Sequence, residues 1–182
     1  MRRLLERIAA SLECRTIGIN GSTYLRRFYV AGSMPPDLAA KWNGDRLPRE
    51  RLGFLPTIYL HCFHRPDAGR DLHNHPWEGA GIVLAGGYEE IRVESVGGHN
   101  GGPAFGLEER RTLRPGALQR VRPGTYHRVH RLLGDGHCWT LFWVWGLTGK
   151  SWGYWLRQEQ RHASWQEVHG ADTNSHTVEA AA

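Results

Sequence analysis

The chain has 182 residues, 40% of them hydrophobic, with 23 basic against 18 acidic side chains and a formal net charge of +5. That length and apolar share suit one packed domain with extensions and exclude global disorder, and no apolar run approaches the ~18 residues of a membrane span. Only Lys41 and Lys150 among the basic residues are Lys, and the arginines are scattered, so the charge gives no clustered footprint for nucleic acid, although Arg is the better fork for an anion.

The opening Met1-Arg2-Arg3-Leu4-Leu5 imitates a leader until Glu6-Arg7 interrupts it, so secretion is not expected. Residues 2–13 read as an amphipathic helix, with Leu4, Leu5, Ile8, Ala9 and Leu12 on one face. Residues 22–31 read as an aromatic-rich strand. Gly32 to Gly53, holding Pro35, Pro36, Gly44 and Pro48, reads as an irregular loop with one turn of helix near Asp37–Trp42. From Phe54 to Leu147 the pattern changes to short apolar or alternating runs, and strands are expected at 56–64, 80–85, 88–95, 117–122, 127–132 and 137–145. Gly86-Gly87, Gly97-Gly98, Pro115-Gly116, Pro123-Gly124 and Gly134-Asp135-Gly136 punctuate them. Short, evenly spaced strands with Gly/Pro turns and no helical insert predict an all-β barrel or sandwich. Residues 149–169, with four aromatics from Trp152 to Trp165, are expected to fold back over the barrel as a strand or short helix. The expected organisation is an N-terminal helix and strand extension over 1–53, a barrel over 54–169 and a mobile tail over 170–182.

One stretch carries chemistry: Asp71-Leu72-His73-Asn74-His75-Pro76-Trp77-Glu78. Two His two apart on a strand point to one face, and two imidazoles on an inward face can ligate one ion. A second stretch, Pro115 to His127, ends in a His after the turn Pro123-Gly124. A third imidazole beside the first two makes a facial three-nitrogen site for Fe, Ni, Cu, Mn or Zn, with positions left open for substrate.

These two stretches resemble the paired motifs of the cupin superfamily, the RmlC-like jelly-roll barrels, over roughly residues 55–155. His73, His75 and Gly87 fit the first motif's His-x-His and its Gly closing a hairpin. Gly116, Gly124 and His127 fit the second, with Arg122 where Pro is usual and Pro123 shifted by one. Asp-x-His-x-His-Pro-Trp followed by Gly-Gly-Tyr-x-Glu is also similar to a group of small bacterial and phage cupins. The resemblance implies a double-stranded β-helix (jelly-roll) barrel with metal ligands His73, His75 and His127. Four-ligand cupins add a Glu four or five positions after the second His, where this chain has Gly79 and Ala80. Glu78 comes one residue early, and strand alternation turns it away from the ion. A three-His site is therefore expected, with Glu78, Glu89 and Glu90 as the open candidates for a fourth ligand. Three-His cupins resemble thiol dioxygenases and diketone-cleaving enzymes, which implies Fe(II) as the first candidate metal, with Zn, Ni or Mn as others.

Other residues are weighed against plainer readings. Tyr59 and His61 share one face of the 56–64 strand and can orient a substrate, or form a polar outer face. Trp139, Leu141, Trp143 and Trp145 form a period-2 stripe, read first as core and second as a stacking wall for a planar substrate. Tyr126, His130, Arg128 and Arg131 are expected to face away from the site. One of Glu89 and Glu90 should face inward, and parity alone does not choose. Cys14, Cys62 and Cys138 contain no close pair, which argues against disulfides and a CxxC zinc site and sets a reducing, cytoplasmic compartment as the expectation. The expected function is a metal-binding cupin, foremost a non-haem iron oxygenase on a small anionic molecule. A non-redox isomerase, lyase or epimerase and a non-catalytic ligand-binding cupin are the alternatives. The expected partners are a small-molecule substrate and a second copy of the chain, with neither membrane nor nucleic acid.

Overall fold

The computed structural model describes residues 1–19, 21–32, 57–69, 71–75, 77–97, 103–134, 136–147, 153–159, 161–164 and 167–168. The loop expected after Gly32 with its turn at Asp37–Trp42, Trp152, Trp165 and the tail Gly170–Ala182 lie outside these residues. Among the described residues a helix, α1 (Arg2–Ala9), precedes thirteen strands. These are β1 (Cys14–Ile19), β2 (Ser22–Ala31), β3 (Thr57–Phe63), β4 (Leu72–His73), β5 (Trp77–Ala85), β6 (Tyr88–Gly97) and β7 (Pro103–Phe105). They continue with β8 (Glu109–Leu113), β9 (Leu118–Val121), β10 (Thr125–Leu132), β11 (Cys138–Leu147), β12 (Gly153–Leu156) and β13 (Arg161–Ser164).

Eight of the strands form one long hairpin rolled on itself. β3 pairs with β11, β4 with β10, β5 with β9 and β6 with β8, a nested antiparallel set. Rolling brings β5 against β11 and β6 against β10, which splits the hairpin into sheets ordered β3-β11-β5-β9 and β4-β10-β6-β8. That nesting is the jelly roll, the cupin-type all-β barrel. β1 and β2 widen the first sheet beyond β3, β12 and β13 widen the second beyond β4, and β7 adds to β6. The corner from β5 to β6 needs Gly86 and Gly87, whose φ angles are 77° and 147°. A Cβ on Gly86 would stand 2.1 Å from the His137 carbonyl oxygen, so Gly87 belongs to a corner between sheets rather than to a simple hairpin.

Three elements differ from expectation. The helix stops at Ala9 instead of Glu13: Ser11 N–H and Leu12 N–H donate to Ile8 and Ala9 carbonyls at 3.1 Å each, which tightens the last turn and releases the chain into β1. β1 and β8 were not foreseen, because neither carries an apolar alternation. β8 is held by opposite charges across the ladder, with Arg111 against Glu90 and Glu109 against Arg92. Of the two forms expected within residues 149–169, the strand is the one observed, as β12 and β13.

The first sheet buries both faces. Phe28, Leu60, Cys62, Ala85 and Trp139 pack under Leu5 and Ala9 of α1, with Phe28 and Trp139 stacked at 5.9 Å. The opposite phase turns Val83 and Cys138 inward, against Tyr88, Leu113 and Val129. The period-2 stripe from Trp139 to Trp145 therefore lies on the outer face, with Trp145 45% exposed, and is not a wall for a substrate. Among the described residues no helix is long and apolar enough to cross a membrane.

Candidate metal centre

The rolled hairpin sets His127 of β10 directly opposite His73 of β4, and β12 sets Tyr154 on the other flank of His73. His75 is placed differently from the sequence expectation. β4 ends at His73, so His75 does not share a strand face with it. Instead the buried Asn74 clamps the chain to β12. Its N–H donates to the Gly153 carbonyl at 3.0 Å, and its Oδ1 accepts from the Gly153 N–H at 2.8 Å. The His75 ring then stacks on Trp77 at 4.2 Å.

The three imidazoles converge. One ligand nitrogen of each lies within 4.8 Å of the others, and His75 Nε2 and His127 Nε2 are 3.0 Å apart. Two nitrogens bound at about 2.1 Å to one ion lie about 3.0 Å apart when they meet at a right angle, so the donor set fits a facial site. The far nitrogens of two of them lie near carboxylates. His127 Nδ1 lies 2.6 Å from Glu90 Oε1, on a carboxylate with no exposure at all. With its proton toward Glu90, His127 turns the Nε2 lone pair inward. Burial raises the Glu90 carboxyl, but the His127 hydrogen bond and the charges of His127, Arg92 and Arg111 outweigh it and hold it below its usual range. His73 Nδ1 lies 3.8 Å from Asp67 Oδ2. Asp67 is itself fixed by the Val129 N–H, which donates at 2.6 Å, and by the Tyr24 hydroxyl. Burial above all pushes His73 down to about 4 and His75 well below its usual value, so both are neutral near pH 7, as metal ligands must be.

The acidic candidates separate cleanly. Glu78 faces outward and pairs with Arg120 of β9. Glu89 pairs with Arg131, outside. Glu90 faces inward and holds His127. The positions that carry the extra Glu in four-ligand cupins are closed by packing. At the first of them, Gly79, a Cβ would stand 2.7 Å from the Trp143 carbonyl oxygen and 2.8 Å from Phe142 Cε1.

Tyr59 and His61 lie on the inward phase of β3, both buried. An unbroken aromatic run leads from them to the centre: Tyr59 on His61 at 5.6 Å, His61 on Phe142 at 5.9 Å, Phe142 to Trp77 at 5.3 Å, then His75. His61 Nε2 accepts from Arg27 Nε–H at 3.1 Å. Tyr126 points the other way, into a cluster with Leu72, Ile91, Val93 and Trp155. Arg128 and His130 contact each other at 3.0 Å on that outer phase. Burial pushes the Cys62 and Cys138 thiols up to about 11 and about 12, which makes them apolar packing groups. His64 and His137 form a separate pair with ring centroids 4.5 Å apart. Among the described residues His73, His75 and His127 are the one three-residue cluster that can hold an ion.

Sequence reasoning missed Asp67, Asn74 and Arg27, and left Glu90 tied with Glu89. No local motif marks the first three. Glu90 becomes visible only once β10 is known to lie beside β6.

No known family profile and no curated protein matches the chain. Solved structures similar to it include hydroxypropylphosphonic acid epoxidase from S. wedmorenis, at 12% identity over 75% of this chain and 56% of that one, TM-score 0.45. Another is Lactobacillus farciminis oxalate decarboxylase in a formate complex, at 12% identity over 79% and 32%, TM-score 0.42. A third is Drosophila melanogaster CENP-C bound to CAL1, at 10% identity over 80% and 92%, TM-score 0.46. The chain thus spans little more than half of the epoxidase chain. The cupin-type assignment rests on the strand nesting, and the centre on its three imidazoles.

Proposed function

We propose that the chain is a metal-dependent cupin enzyme, a non-haem iron(II) oxygenase acting on a small anionic molecule. The observation that carries this reading is the donor set: three imidazoles with no carboxylate among the ligands. Such a set leaves a dication its full charge, which favours an anionic substrate beside it. Iron(II) held there would supply Lewis acidity toward that substrate and one-electron chemistry with dioxygen. The protein's own groups do the rest. His73, His75 and His127 bind. Glu90 and Asp67 hold the outer nitrogens of His127 and His73. Trp77 and Phe142 keep water from one side of His75. The Tyr59 hydroxyl, kept protonated by burial against the pull of Arg27, remains a hydrogen-bond donor. Three free thiols suit a reducing compartment, which supports a cytoplasmic setting for this enzyme.

The donor set also suits zinc, nickel and manganese, and with any of these the same site would serve a non-redox isomerase, lyase or epimerase. Metal content by plasma mass spectrometry on untagged protein, beside the His73→Ala/His75→Ala double variant, separates the readings. Near-stoichiometric iron, lost in the variant, together with oxygen uptake on an organic-acid or thiol panel, is the expected result. Zinc, nickel or manganese with turnover under anaerobic conditions selects the non-redox reading. No metal even after reconstitution overturns both and leaves a ligand-binding module.

A further inference from the structure

The strand registers place two arginines on the inward face of the first sheet. Arg15 stands opposite Arg27, Arg27 opposite His61 and His61 opposite Thr140, one row across β1, β2, β3 and β11. The alternate row, Cys14, Phe28 and Leu60, packs under α1. The arginine row therefore faces the other way, on the side of Tyr59 and His61. The next inward row runs Tyr29, Tyr59, Phe142, Gly81 and Gln119.

We propose that Arg15 and Arg27 form the subsite for the substrate's anionic group, a carboxylate or phosphoryl-type oxyanion, beside the three-His centre. Arg27 is held ready for that task. Its Nε–H donates to His61, and its Cζ sits 5.0 Å over the Tyr59 ring. This gives His61 a role the sequence did not suggest: it positions Arg27. Arg27 is linked to the centre through His61, whose ring stacks on Phe142 at 5.9 Å, with Trp77 and then His75 beyond. Arg15 is 7% exposed. Burial first, and then the charge of Arg27, lowers it, and a bound oxyanion would favour the charged form. A guanidinium fork matches both oxygens of a carboxylate or phosphoryl group. Gln119 is an independent sign of a polar ligand: it is 9% exposed, and its buried Oε1 has no hydrogen-bond partner. An anion bound at one end by the arginines and at the other by the dication would be pinned at two points.

The inference rests on the three-His reading for where the reacting end of the substrate lies, but its test does not need the metal. Acetate, methylphosphonate and neutral acetamide are titrated calorimetrically into the full chain, metal-free and metal-loaded. Saturable binding of acetate or methylphosphonate but not acetamide is expected in both forms, and the tighter of the two anions names the oxyanion class. Arg27→Gln should weaken it at least tenfold, Arg27→Lys should recover part of that loss, and Arg15→Gln should weaken it severalfold. Wild-type protein that binds neither anion overturns the subsite without recourse to variants. Binding unchanged in both Gln variants, or lost only in His73→Ala/His75→Ala, also overturns it while leaving the metal centre standing. Arg-dependent binding by a protein that takes up no metal upholds the subsite and removes the oxygenase.

Discussion

The two walls that face each other across the barrel are built on opposite electrostatic plans. The wall of β4, β10 and β6 brings imidazoles together and has carboxylates behind them: the buried Glu90 at His127 and the half-buried Asp67, from the loop before β4, 3.8 Å from His73. The wall of β1, β2, β3 and β11 brings guanidiniums and aromatic rings together, with Arg27 on His61 and Tyr59. One wall is arranged for a cation and the other for an anion. Each carries its charge inward, where a low dielectric strengthens it, and each spends separate residues on orientation.

The largest expected effect tests the first wall. Glu90→Gln keeps the shape but removes the charge behind His127. Metal affinity, read by competition with a chromogenic chelator, should fall roughly 10–100-fold, the usual cost of losing an outer carboxylate. Far-UV circular dichroism should be unchanged. An affinity within twofold of wild type would show that His127 needs no partner, and the contrast between the walls would collapse.

The seam between the walls comes next. Phe142 fits because Gly79 and Gly81 give way to it. Gly81→Ala would press a methyl into its ring, an overpacking cost of about 1–3 kcal/mol. At roughly 2–4 °C per kcal/mol for a chain of this size, the melting temperature should drop by several degrees. A variant as stable as wild type would mean that the ring moves freely, so that it does not hold His61 and Trp77 in place.

What the sequence reveals of this arrangement follows from the range of each interaction. The all-β class is legible because strand periodicity and Gly/Pro turns are local signals, and the jelly roll follows from the resemblance that the paired His motifs carry. The three ligands are legible because their spacing is local, although the stated reason for His75 is wrong: Asn74 and Gly153 place it, not strand alternation. The orienting groups are not legible. Glu90 and His127 are 37 residues apart, and Arg27 and His61 are 34 apart, so each pair exists only through a register that the whole barrel sets. β1 and β8 escape for a related reason: β1 is held by its pairing with β2 and β8 by opposite charges across its ladder, which a hydrophobic pattern does not record.

Acid offers a smaller and more diffuse test of the cation wall. In the folded metal-free protein His73 titrates at about 4, against ~6.5 in an unfolded chain. Between those values the unfolded state holds more protons, so the contribution of His73 is complete above ~6.5 and is lost as pH falls toward 4. His75 and His61 are depressed in the same direction, burial being the first cause for each. The melting temperature of the metal-free protein should therefore fall steadily from pH 7 to pH 5, and His73→Ala/His75→Ala should flatten the slope. A slope identical in that variant would place the acid sensitivity elsewhere.

The smallest effect is expected at the residue that sequence spacing made most tempting. Glu78 sits three positions after His75, yet its partner is Arg120 on the outside of β5 and β9. That ion pair is partly solvated, with Arg120 54% exposed, and such pairs contribute about 0–1 kcal/mol. Glu78→Gln should leave metal content and chelator competition unchanged and shift the melting temperature by no more than a degree or two. Run beside Glu90→Gln, it compares a carboxylate close in sequence to the His pair that faces outward with one farther along the chain that faces inward. Equal losses of metal from the two would mean that β5 carries Glu78 into the site, and the outward phase of that strand would have to be redrawn.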